Sequence, residues 1–209
     1  MPRIPARTVD QAGWFIRRMY GYAKRRFGAV PEPFAVLAHH RGLMIAAALA
    51  ETAVERAAKH LPDNLADLVV YRVATELGCS WCVDFGTMLQ RHKGLDIERL
   101  QEIHAYADSP RFTETEKLAI GYADAITATP VRVTDEQVAE LRERLGDKGL
   151  IELTYLITVE NQRARFNDAL GILDQGFTSG EACRVPLPVA PAEAAATGIT
   201  ATGITRERS

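Results

Sequence analysis

Cys79-Ser80-Trp81-Cys82 is the part of this 209-residue chain whose residue types and spacing best suit chemistry. Two thiols three positions apart on a helix share one face and are close enough to cross-link. Gly78 stands directly before them and suits a helix stop in the left-handed conformation. Both cysteines are therefore expected on the first turn of the next helix. Unpaired backbone N–H groups and the positive end of the helix dipole favour a thiolate there. A thiolate is a nucleophile, and a second thiol at this spacing can close a disulfide on it after oxidation. Two other readings use the same residues: half of a zinc site, or a pair of buried packing thiols. Structural zinc wants four ligands. Cys183 stands alone far downstream, and His39, His40, His60, His92 and His104 show no zinc-finger spacing. The redox reading needs neither a metal nor an organic cofactor.

Other polar residues have weaker claims. Asp67 opens an apolar stretch, where a carboxylate in the first turn of a helix is favoured electrostatically whether or not it has a catalytic task. Asp84 and Glu76 read as solvated helix residues, and His39-His40 as a helix-surface pair. Glu160, Asn161, Arg163 and Arg165 share one long helical stretch with Phe166. Pairing of Arg with Glu explains them, and a polar lining to a pocket is the alternative.

The elements that must position these groups are helical. Residues 1–12 carry two prolines and no periodicity, and read as a loose arm. Residues 13–27 mix Trp14, Phe15, Met19, Tyr22 and Phe27 with Arg17, Arg18, Lys24, Arg25 and Arg26. They are expected to dock their aromatics on the core or on a second subunit, with a membrane-surface helix as the alternative. Pro31 and Pro33 mark the next boundary, and residues 34–59 read as helix with a break near Gly42. Asp63 is a plausible cap for a helix ending at Gly78. A segment from Cys79 to Gly94 follows, then a short helix over 96–106. Thr113 and Glu116 fit a capping box for a helix reaching about Thr127. Thr134 to Glu136 open another helix, expected to stop near Gly146, and residues 150–170 form one more, ended by Gly171. No stretch alternates apolar and polar residues as a strand would. The fold is expected to be all-α, with seven or eight helices. The expected organisation is an arm over 1–30, a helical domain over 31–183 and a disordered tail over 184–209, where Pro, Ala, Thr and Gly dominate.

Composition narrows the function. Lys and Arg number 25 and Asp and Glu 27, a net charge of -2, which argues against a nucleic-acid binder driven by bulk charge. No apolar run approaches the roughly 18 residues of a membrane span. No secretory signal is expected, and three cysteines are too few and odd for a secreted disulfide framework. A cytoplasmic protein is the expectation.

The stretch from Asp67 through Leu77-Gly78-Cys79-Ser80-Trp81-Cys82 to Gly86 resembles the signature of the carboxymuconolactone decarboxylase superfamily, in its alkylhydroperoxidase D-like branch. That branch carries an acidic residue twelve positions before the first cysteine and a His four after the second. The resemblance covers residues from about 31 to 182, including Glu160 to Asn167. It implies an all-helical fold that forms homo-oligomers, often trimers or hexamers. It also implies a hydroperoxide substrate, a peroxidatic Cys82, a resolving Cys79 and an external thiol that reduces the disulfide. Asp67 occupies the place of the family's glutamate, the far member of a proton relay. The relay His falls at Gly86, so water or another side chain must fill that place, and Asp84, Glu76, His39, His40 and Glu160 are the candidates. A lactone decarboxylase is a second reading, which needs no dithiol. A non-enzymatic oligomeric redox-sensing or binding module is a third.

Overall fold

The computed structural model describes residues 2–93 and 96–178. Eight α-helices form among them, with no strand: α1 Trp14–Phe27, α2 Glu32–Leu37, α3 Arg41–Ala57, α4 Leu65–Glu76, α5 Ser80–His92, α6 Ile97–Gln101, α7 Glu114–Thr127 and α8 Asp135–Leu170. A 3-10 turn at Ile103–Ala105 follows α6. Cys183 and the expected tail 184–209 lie outside the described residues.

The protein is organised around α4, which packs on α5, α7 and α8. Its apolar residues fall in two stripes at helical spacing. Leu65, Val69 and Val73 meet Ala119, Tyr122 and Ala123 of α7 and Leu141, Leu153 and Ile157 of α8. Leu68, Tyr71 and Ala74 join a second cluster with Cys79, Trp81, Cys82, Val83, Ile120 and Ala164. A helix buried on two sides needs such a near-continuous apolar sequence, and burial of each large side chain contributes about 1.5–3 kcal/mol. A polar lock closes the α4–α7 contact: Arg72 donates to both carboxylate oxygens of Asp124 at 2.6 and 3.1 Å, and the Tyr106 hydroxyl donates to Asp124 at 3.1 Å.

Several expected boundaries hold. Gly78 takes a φ of 68° and turns the chain between α4 and α5. Thr113 with Glu116, and Thr134 with Gln137, form capping boxes. Two expectations change, at the break near Gly42 and at the cap of α4, and the stop at Gly146 is present as a kink. The break in the 34–59 stretch falls at 38–40, ahead of Gly42, because the His40 ring accepts the Leu43 N–H and caps α3. Asn64, at a φ of 69°, precedes α4 in place of Asp63. Gly146 leaves the helical conformation at φ 68° and ψ 173°, where a stop is expected, so α8 is two helical runs meeting at a kink, and the second carries Gly149 and Leu153 into the core.

The N-terminal stretch is anchored rather than loose. The Arg3 N–H donates to Leu170 O at 2.7 Å, the Arg7 N–H donates to Ala35 O at 3.0 Å, and the Tyr20 hydroxyl donates to Arg7 O at 2.9 Å. Ile16, Tyr20 and Ala23 of α1 face inward, while Trp14 and Tyr22 stay exposed. No described helix is long and apolar enough to cross a membrane.

Candidate functional site

Cys79 is the N-cap of α5, and its sulfur is bonded to that of Cys82. Positive φ at Gly78 is what lets the chain reverse directly into this cap. Both cysteines are buried. The Cys82 N–H donates to Cys79 Sγ at 3.2 Å, so one orphan amide of the first turn is already spent on sulfur. From the last turn of α8, Asn167 Nδ2 donates to Cys79 Sγ at 3.6 Å and to Cys82 Sγ at 3.5 Å. In the sequence Asn167 is only the end of the stretch that begins at Glu160. Nothing local marks it, because its partners lie 88 and 85 residues away.

A strap over residues 172–178 crosses the same helix turn. Asp84 is buried and accepts the N–H groups of Gln175, Phe177 and Thr178 at 3.1, 2.9 and 2.9 Å, plus the Thr178 hydroxyl at 2.7 Å. The solvated role expected for Asp84 is thus replaced by a clamp. Both residues between the cysteines join it. Ser80 Oγ accepts the Asp174 N–H at 3.2 Å, and the Trp81 indole donates to Gln175 Oε1 at 3.0 Å. Gln175 continues to Glu32 N–H and Val30 O, tying the strap to the α1–α2 corner. Trp81 stacks on Phe85 at 4.7 Å, and Phe177 meets both rings edge-on.

The other predicted residues are placed elsewhere. Asp67 lies at the far end of the α4–α5 hairpin and takes Lys93 Nζ at 2.8 and 2.7 Å. The structure therefore brings Cys79 and Cys82 together and pairs Asp67 with a lysine of the opposite helix end. At the position of the family's relay His, a Cβ on Gly86 would make van der Waals contact with Tyr71 Cδ2 at 3.5 Å, so the ring of Tyr71 lies beside it. Tyr71 is fully buried, its hydroxyl accepts the Thr87 hydroxyl at 3.4 Å, and burial pushes its pKa up to about 12. The five candidates for that place each have other partners, Asp84 in the strap among them. His39 meets Pro5 O at 2.9 Å, His40 caps α3, and Glu76 pairs with Arg72 at 2.9 Å. Glu160 is buried, and its pKa rises to about 7 through desolvation, with Arg163 at 3.1 Å pulling the other way. Arg163 also binds Glu51 of α3. The pairing of Arg with Glu read from the sequence is thus present at Glu160 and Arg163, and Asn161 donates to Thr127 Oγ1 at 3.0 Å. Among the described residues no group of three His, Cys, Asp or Glu side chains is arranged to hold a metal ion.

Chemically, a bonded i, i+3 pair with two donors to one sulfur and one to the other can cycle between disulfide and dithiol. Residues 43–125 match the profile of the Carboxymuconolactone decarboxylase family. The uncharacterized protein YnjA of Escherichia coli K12 is 31% identical over 189 residues, 89% of this chain and 95% of its own length. An alkyl hydroperoxide reductase of Mycobacterium tuberculosis, Rv2159c, is 37% identical over 81 residues, 38% of this chain and 23% of its own length. Among solved structures, an alkylhydroperoxidase AhpD core protein from Ralstonia eutropha JMP134 superposes with a TM-score of 0.74 at 16% identity, covering 84% of this chain and 94% of its own. The debrominase Bmp8 superposes at 0.76 with 16% identity over 88% of this chain and 97% of its own, a likeness of fold.

Proposed function

Because the chain belongs to the carboxymuconolactone decarboxylase superfamily, in its alkylhydroperoxidase D-like branch, we propose that it is a thiol-dependent peroxidase or dithiol oxidoreductase working through Cys79 and Cys82. The observation that supports this reading most is the bonded pair on the first turn of α5, with Asn167 donating to both sulfurs. In the oxidising half, Cys82 Sγ attacks the terminal oxygen of a hydroperoxide, the O–O bond breaks, and a sulfenic acid and an alcohol form. Cys79 then attacks the Cys82 sulfur, forms the disulfide and releases water. In the reducing half, two electrons from an external thiol return the pair to the dithiol. A disulfide that cycles in this way suits a reducing cytoplasm, where such bonds are transient and catalytic.

Asp67, the far member of a proton relay by the resemblance, has its carboxylate paired with Lys93. A lactone decarboxylase would leave the dithiol without a task. Homo-oligomer formation is part of the proposal, supported by Leu43 and Leu49 of α3 and Ile151 and Tyr155 of α8, which stand at least half exposed. The test is single-turnover oxidation of the reduced protein by cumene hydroperoxide, with mass spectrometry of the products. Rapid loss of both thiols as an intramolecular disulfide is expected. A disulfide that forms reversibly in a redox buffer but ignores peroxide would place the protein among sensing or binding modules.

A further inference from the structure

We propose that Asn167 is a catalytic residue of the dithiol, holding the negative charge that appears on sulfur when the disulfide is reduced. The proposal rests on the dithiol reading above. The Asn167 side chain is 98% removed from solvent, at 2% exposure, and its amide nitrogen lies at hydrogen-bond distance from both sulfurs. A buried carboxamide without partners is costly, so its orientation is set by what it donates to. Its backbone is fixed as well: Gly171 ends α8 at a φ of 64°, and the Ile172 N–H donates to Asn167 O at 2.9 Å. A disulfide sulfur is a weak acceptor and a thiolate a strong one, and charge-assisted bonds are roughly twice as strong as neutral ones. The Asn167 bonds therefore strengthen on reduction and favour the reduced pair.

The charge has a preferred sulfur. Cys79 receives Asn167 and the Cys82 amide, whereas Cys82 receives Asn167. The first proton lost leaves the thiolate on Cys79. The pair titrates as a unit, and the shared donor lets the charge pass between the sulfurs. Cys79 can then do what an imidazole at position 86 would do. It takes the Cys82 proton as Cys82 Sγ bonds to the terminal peroxide oxygen and the O–O bond breaks. The departing alkoxide takes that proton from Cys79 and leaves as the alcohol. The Cys79 thiolate attacks the Cys82 sulfenic sulfur, the S–S bond forms, the S–O bond breaks, and the hydroxide takes a proton from solvent. Two sulfurs lose two electrons, and the peroxide gains them.

The ionisable groups on the elements around the pair include two cations that are already paired, Arg72 of α4 with Asp124 and Glu76, and Arg163 of α8, one turn before Asn167, with Glu160 and Glu51. The acids are Asp84 on α5, Tyr71 on α4, Asp174 in the strap, and Glu160, which shares the inner face of α8 with Ala164 and Asn167. The residue from α7 in this cluster is Ile120, and from α2 Val36. Asp84 spends its oxygens on strap donors. An anion on sulfur thus depends on the donated bonds of Asn167 and Cys82.

The test uses the full-length protein with Asn167→Ala and the near-isosteric Asn167→Asp. Circular dichroism and thermal melting of the oxidised forms establish folding. The reduced proteins are then alkylated with iodoacetamide across pH 5–10, sites are read by mass spectrometry, and the oxidised proteins are equilibrated in a glutathione redox buffer. Loss of a bond to a charged group predicts about a tenfold fall in alkylation rate at neutral pH for Asn167→Ala, and a larger fall for Asn167→Asp. Both equilibria shift at least tenfold toward the disulfide. Profiles and equilibria within twofold of the parent, in either folded variant, would overturn the proposal. Its failure is separable from that of the peroxidase reading. If the parent reacts rapidly with cumene hydroperoxide and Asn167→Asp matches it throughout, the role of Asn167 fails alone. If the parent ignores peroxide while Asn167→Asp still shifts the equilibrium, the role stands and the oxidant is wrong.

Discussion

Replacing Cys82 by serine removes the sulfur that the scheme oxidises first, so peroxide-dependent oxidation should fall by about 100-fold or more, as removal of a nucleophile does. Cys79→Ser should still yield a sulfenic acid on Cys82, trapped by dimedone and seen by mass, at a rate below that of the parent because the proton acceptor is gone. Equal, undiminished oxidation in both variants would sink the dithiol mechanism. Glu160 carries a different consequence. Burial raises its carboxyl to about 7 from an ordinary 4.5, so the folded protein keeps a proton there that the unfolded chain has released. Folded protein then binds more protons than unfolded protein in that window, and stability falls as pH rises from 4.5 through 7. Glu160→Gln should flatten this fall. Urea unfolding of both proteins at pH 5 and pH 8 should show the loss in the parent exceeding that in the variant by an amount on the order of 2–3 kcal/mol. Parallel losses would refute the assignment.

The first turn of α5 was the legible element. Gly78 as a stop and a dithiol on the turn after it both follow from local rules, because the left-handed corner and the cap involve residues within a few positions. What faces that turn was not legible. Asn167 and the strap reach the start of α5 across 85 to 94 residues, Tyr71 meets Thr87 from 16 residues away, and no periodicity reports which side chain a distant helix turns inward. Asp84 shows the limit most clearly, since an aspartate mid-helix looks solvated until the strap amides it collects are seen. Asp84→Ala should cost about 2–4 kcal/mol, because it strands donors that the carboxylate satisfies. It should also speed reduction of the disulfide by dithiothreitol, by loosening the strap over Ser80 and Trp81. An unchanged reduction rate in a folded variant would show that the strap does not guard the pair. Gly86 invites a milder test. A Cβ there makes an ordinary 3.5 Å contact with Tyr71, and alanine is about 1 kcal/mol better than glycine inside a helix, so Gly86→Ala should raise the melting temperature by a few degrees. A lowered melting temperature would mean that the Tyr71 ring tolerates nothing beside it.

At the scale of the whole molecule, α4 joins two apolar clusters, and the redox pair sits in the one that also receives the end of α8. The all-helical character could be read directly, because helical spacing and caps recur along the chain. The interruption of α8 at Gly146 could be read as well, because a glycine there takes the positive φ that helical residues avoid. The anchoring of residues 3–20 was hidden, since it rests on backbone bonds to α2 and the end of α8. Sedimentation of the 23.0 kDa chain should give a multiple of that mass, and Leu49→Glu on exposed α3 should shift it toward the monomer. A monomeric parent would remove the oligomer from the account. Whether the pair is a working dithiol is tested most directly by stopped-flow oxidation of fully reduced protein by cumene hydroperoxide, with thiol counting by mass at each time point. Rapid, stoichiometric conversion of Cys79 and Cys82 to one intramolecular disulfide is expected, lost in Cys82→Ser. Oxidation no faster than that of free cysteine at the same pH, or equally fast without Cys82, would contradict it.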